Sequence, residues 1–71
     1  MSKYEVTDIP EFTEEQTKRL DELQAAADGK LTLDDREELL KMQWLEAAAY
    51  NKAEGNTEKA VACYARYKKL D

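Results

Sequence analysis

Residues 32–54, TLDDREELLKMQWLEAAAYNKAE, decide the fold. Thr32 is a good helix N-cap, and Asp34 and Asp35 follow it at the positive end of the helix dipole. From Leu33 to Glu54 neither proline nor glycine interrupts the chain. That predicts one helix of about 22 residues, roughly 33 Å long. Two apolar stripes run along it: Leu40, Trp44, Ala47, Ala48 and Asn51 on one, Leu39, Met42, Leu45 and Ala49 on the other. A single neighbouring helix covers one stripe, so this segment reads as a spine packed from two sides.

Working outward toward the start, Thr13 and Gln16 have capping-box spacing, with Glu14 and Glu15 in the first helical turn. Leu20, Leu23 and Ala27 then form a narrow stripe, and Gly29 suits a left-handed helix end. Before Thr13, Pro10 favours extended backbone at Ile9, and Tyr4, Val6, Ile9 and Phe12 are too many apolar groups for a free tail, so the arm is expected to pack across its own helices, with addition to a partner as the alternative. In the other direction, Gly55 ends the spine and Asn56 caps a last helix. Its inward stripe is Ala60, Val61 and Tyr64, with Tyr67 or Lys68 next, and its last turns carry Arg66, Lys68 and Lys69. The expectation is an all-α, three-helix arrangement (about 13–28, 33–54 and 57–70). An extended arm, 1–12, precedes a single helical domain, 13–71.

At 71 residues the chain holds one small domain, and two glycines and one proline argue against a turn-rich β fold. No apolar run approaches the about 20 residues of a membrane span. Without a basic and then apolar leading segment, cytoplasmic is the default localisation. The single cysteine, Cys63, excludes an internal disulfide and a Cys-based zinc site. The net charge of −5 is uneven: residues 1–38 carry −7 and residues 39–71 carry +2. An acidic front half repels phosphates and anionic lipid, so neither nucleic acid nor membrane is the expected partner. A basic protein, or the basic tail of a second copy, fits better.

From Trp44 to Asp71 the spacing resembles one tetratricopeptide repeat. Trp44 stands at that family's early aromatic position and Ala48 at its small residue. Gly55-Asn56 falls at the inter-helix turn, Ala60 at the close approach of the helices, Tyr64 at the large residue, and Leu70-Asp71 at the closing dipeptide. Small residues there let two antiparallel helices approach closely. The resemblance covers about 28 of the 71 residues and implies a helical hairpin that acts by protein contact. Tyr67 departs from the family by replacing a small residue, and Asn51 by replacing a frequent aromatic. Both departures argue against a superhelical array. In a lone hairpin, the outer side of the last helix, with Cys63, Tyr67 and Leu70, is expected to stay open.

No residue set suggests catalysis, a cofactor or a metal. Asp28-Gly29-Lys30-Leu31-Thr32-Leu33-Asp34-Asp35 has the outline of half a calcium loop, but Gln24 and Ala26 stand where its first ligands belong. Cys63 has no histidine to activate it and lies mid-helix. Glu14, Glu15, Asp21, Glu22, Asp34, Asp35, Glu37 and Glu38 pair in sequence and so fan out as an acidic surface. Trp44 and Tyr64 fall on inward stripes and read as core. Tyr50 lies off both stripes of the spine, and with Cys63, Tyr67, Leu70, Tyr4 and Val6 it is a candidate for partner binding.

These readings make the chain a small, non-enzymatic protein–protein interaction adaptor, a homo-oligomer that self-associates through its last helix and its arm. Two alternatives share the composition. One is an acidic inhibitor that imitates nucleic acid on a DNA- or RNA-binding protein; the other is a structural subunit of a larger assembly, such as a phage particle.

Overall fold

A computed structural model describes residues 4–27 and 29–70. Its elements are a 3-10 turn at Val6–Asp8, then α1 (Glu14–Ala25), α2 (Leu33–Ala53) and α3 (Thr57–Leu70), with no strand among the described residues. The predicted all-α, three-helix order, with an N-terminal stretch before the first helix, is the observed one.

The starts of α1 and α2 are set by the hydrogen bonds their caps imply. The Gln16 N–H donates to Thr13 Oγ1 at 3.1 Å, and the Thr13 N–H donates back to Gln16 Oε1 at 2.9 Å. The Asp35 N–H donates to Thr32 Oγ1 at 3.1 Å. Gly55, at φ +82°, turns the chain between α2 and α3, and the Asn56 carbonyl accepts the Ala60 N–H at 2.9 Å. One boundary differs from expectation. The first helix stops at Ala25 rather than near 28, because Ala26 leaves helical geometry and the Ala27 N–H turns back to Gln24 O at 3.2 Å. Ala27 is therefore exposed and off the stripe predicted for it, Gly29 lies in the connection at φ +92°, and Asp28 is outside the described residues.

The arm is not simply extended. Asp8 accepts the Glu5 N–H on its carboxylate at 2.9 Å and closes a 3-10 turn, after which Ile9 is extended (φ −77°, ψ 118°), as the following Pro10 requires. That sequence of turn and extension drives Ile9 inward, where it is 1% exposed. It joins Leu45, Ala48, Ala60 and Tyr64 in one core cluster. A second cluster, Leu20, Leu23 and Met42, fastens α1 to α2, and Phe12 packs against both.

The spine is packed by both neighbours, but its stripes divide differently from the sequence pattern. Met42 faces α1, while Leu45 and Ala48 face α3 and the arm. Leu40 is left 49% exposed, and Leu33, one heptad earlier, 79%. Trp44 is half-buried rather than central, with the Arg66 guanidinium 5.3 Å from its ring centroid. The overall dimensions explain this. The molecule measures 37 × 23 × 15 Å, and its short axis is little more than one helix diameter. Helices laid side by side in one layer leave the broad outer face of the middle one uncovered.

Candidate interaction surface

The six residues singled out for partner contact separate into two groups. Tyr4, Val6, Cys63 and Tyr67 are half-buried against the molecule's own core. Tyr4 meets Tyr64 edge-on, with centroids 5.3 Å apart and an 82° interplanar angle, and Tyr67 stacks on the same ring at 5.9 Å and 26°. The expectation that the outer side of the last helix stays open is thus corrected for Cys63 and Tyr67, which pack with the arm's Tyr4 and Val6 against one core cluster. The physical reason is that a core this small gains from every apolar group it buries. Tyr50, at 63% exposure, and Leu70, at 44%, remain at the surface.

Tyr50 stands beside a shallow groove of about 540 Å³, lined by Pro10, Glu11 and Phe12 from the arm and by Glu46, Ala49, Tyr50, Lys52 and Ala53 from α2. Glu46, Ala49, Tyr50 and Ala53 follow at three-, four- and seven-residue spacing, so α2 offers one face to it. The opposite wall exists because Lys52 Nζ donates a 2.7 Å hydrogen bond to the Ile9 carbonyl, which fixes the chain just before Pro10. Most of the exposed lining is apolar, and Glu11, Glu46 and Lys52 are its charged residues. The periodicity around Tyr50 was a signal for the α2 half of this site. Nothing local in Pro10-Glu11-Phe12 announces the other half, which depends on the arm folding back.

The eight acidic residues singled out divide between exposed and half-buried positions. Glu14, Glu15, Asp21, Glu22, Asp34 and Glu37 are exposed, whereas Asp35 and Glu38 are half-buried between α1 and α2. Arg19 gathers three of these acids. Its guanidinium donates two hydrogen bonds to Glu38, at 3.1 and 3.0 Å, and lies 3.7 Å from Asp35 and 3.6 Å from Glu22. The hydrogen bond and charge of Arg19 hold the Glu38 carboxyl below the usual carboxylate range, and Glu38 in turn raises the Arg19 pKa. Two-pronged contact between arginine and carboxylate is the strong geometry for such a pair, here joining two helices.

Among the described residues no group of three or more His, Cys, Asp or Glu side chains is arranged to hold a metal ion, and no helix is long and apolar enough to cross a membrane. No protein-family profile matches the chain, and neither a curated protein nor a solved structure shows significant similarity to it.

Proposed function

We propose that this protein is a non-enzymatic interaction module that works by docking other protein surfaces. The observation that carries the reading is Tyr50, a large aromatic left 63% exposed on a shallow groove whose lining is mostly apolar. Aromatic side chains in such positions are favoured anchors of protein interfaces. The resemblance of residues 44–71 to a tetratricopeptide hairpin supports the same class of function. Self-association belongs to this reading too, but the arm's Tyr4 and Val6 are committed to the core, so Leu70 is the large apolar group of the last helix that remains for it.

The test is affinity capture from the cells that make the protein, comparing the native chain with Tyr50→Glu at matched helicity. Capture that disappears with Tyr50→Glu supports the reading, and identical capture by both overturns it. The nucleic-acid-mimic alternative has less support, because Arg19 already ties up Glu22, Asp35 and Glu38 and so breaks the continuity of negative charge that such a mimic needs. Binding that collapses with added salt and competes with DNA or RNA would favour it instead.

A further inference from the structure

The arm sits on the α2–α3 hairpin much as a docked peptide sits on a receptor. The buried Ile9 side chain clusters with Leu45 and Ala48 of α2 and with Ala60 and Tyr64 of α3. Lys52 donates to the Ile9 carbonyl at 2.7 Å, and the Tyr64 ring meets Tyr4 edge-on. Other bonds of the arm close within it. The Glu5 N–H donates to the Asp8 carboxylate at 2.9 Å, the Asp8 N–H to the Glu5 carbonyl at 2.9 Å, and the Ile9 N–H to the Val6 carbonyl at 3.2 Å. These travel with the arm when it lifts, and Glu5, Thr7, Asp8, Pro10 and Glu11 already face solvent. The helices keep their own backbone ladders, so release of the arm is a local opening.

We propose that this seat is a recognition site whose resident, displaceable occupant is the arm, and that it takes from another protein an extended segment in which an aliphatic residue precedes a proline. The arm shows why that chemistry fits. The aliphatic side chain fills the space left by the small Ala48 and Ala60. The proline holds the residue before it extended, so its carbonyl is presented to Lys52 at little further ordering cost. Such a segment competes with the arm for one place, which makes the arm an autoinhibitory strap. The inference goes beyond the Tyr50 groove, because this seat lies under the arm rather than beside it. A tethered arm acts at an effective concentration in the millimolar range, so an incoming segment binds the native chain weakly and an arm-released chain more tightly.

The probe is a synthetic peptide with the sequence of residues 4–12, added at up to about 1 mM and followed by amide NMR shifts and circular dichroism. Ile9→Asp in the whole chain empties the seat, because a carboxylate is not stable in that apolar cluster. If this variant stays helical, it should bind the peptide at least about tenfold tighter than the native chain does, with shifts centred on Leu45, Ala48, Ala60 and Tyr64. If it loses helix, the peptide should restore it in trans. A peptide carrying Ile9→Asp should not bind, and one carrying Pro10→Ala should bind more weakly. Equal affinity for the native chain and the variant, no binding to the folded variant, no restored helix in an unfolded one, or equal binding by either altered peptide overturns the inference. Capture through Tyr50 is tested separately by Tyr50→Glu and stands or falls independently of these results.

Discussion

The ammonium of Lys52 donates to the carbonyl of Ile9 across 43 residues of sequence, at 2.7 Å. This bond ties the arm to the end of α2, and with the burial of Ile9 it makes the arm part of the domain. It also fixes one wall of the groove beside Tyr50.

Lys52→Met keeps the aliphatic stem and removes the donor. Losing a charged hydrogen bond at a half-buried carbonyl should cost about 1–2 kcal/mol. The loss should appear first as faster amide exchange in residues 5–9, while α2 and α3 keep their protection. Ile9→Ala should cost more, about 2–5 kcal/mol, because its side chain is 1% exposed and leaves a cavity. Exchange that quickens equally everywhere in Lys52→Met would show that the arm has no independent attachment.

The close approach of α2 and α3 passes through Ala48 and Ala60, both 0% exposed. Ala60→Leu forces extra volume into that contact and should destabilise by about 1–3 kcal/mol in urea unfolding. Ala62→Leu, on the exposed side of the same helix, should be nearly neutral. Equal effects at the two positions would contradict the packing described.

Gly55 has φ +82°, and a Cβ added there would meet nothing within 4 Å. Its substitution therefore reports backbone strain alone. Gly55→Ala should cost about 1 kcal/mol, and Gly55→Asn less, because asparagine tolerates left-handed geometry better. Thermal melts of the two variants give the order, and an alanine variant as stable as the native chain would refute it.

The pairing of Arg19 with Glu38 makes stability depend on pH in a set direction. Glu38 has its folded pKa lowered, chiefly by the hydrogen bond from Arg19, below its ordinary 4.5. Its contribution is thus fully present above about pH 4.5 and is lost as pH falls through the lower folded value. The native chain should melt slightly higher than Arg19→Gln near neutrality, and the two curves should converge at the acid end. The difference is small, since both side chains are more than a third exposed. Parallel curves at all pH values would mean that Arg19 acts by packing alone.

What was legible in the sequence was local. Thr13 with Gln16, Thr32 with Asp35, and Gly55 act through hydrogen bonds and backbone angles within a few residues, so the elements they bound are written in short stretches of chain. Tyr50 was legible for the same reason, standing off a periodic pattern. The early end of α1 was not, because no strong breaker marks Ala26. Only the tertiary structure decided which apolar groups became core. Cys63 and Tyr67 look like an open face along the chain, the arm with Tyr4 and Val6 reads as lying on its own domain or on a partner, and Leu40 looks like core; in the fold the first four are half-buried and Leu40 is 49% exposed. The reason is that periodicity describes a face and not its neighbour. An aromatic covered by a partner and one covered by the chain's own arm have the same spacing. They are told apart by contacts such as Tyr4 on Tyr64 and Lys52 on Ile9, which exist only after distant segments meet.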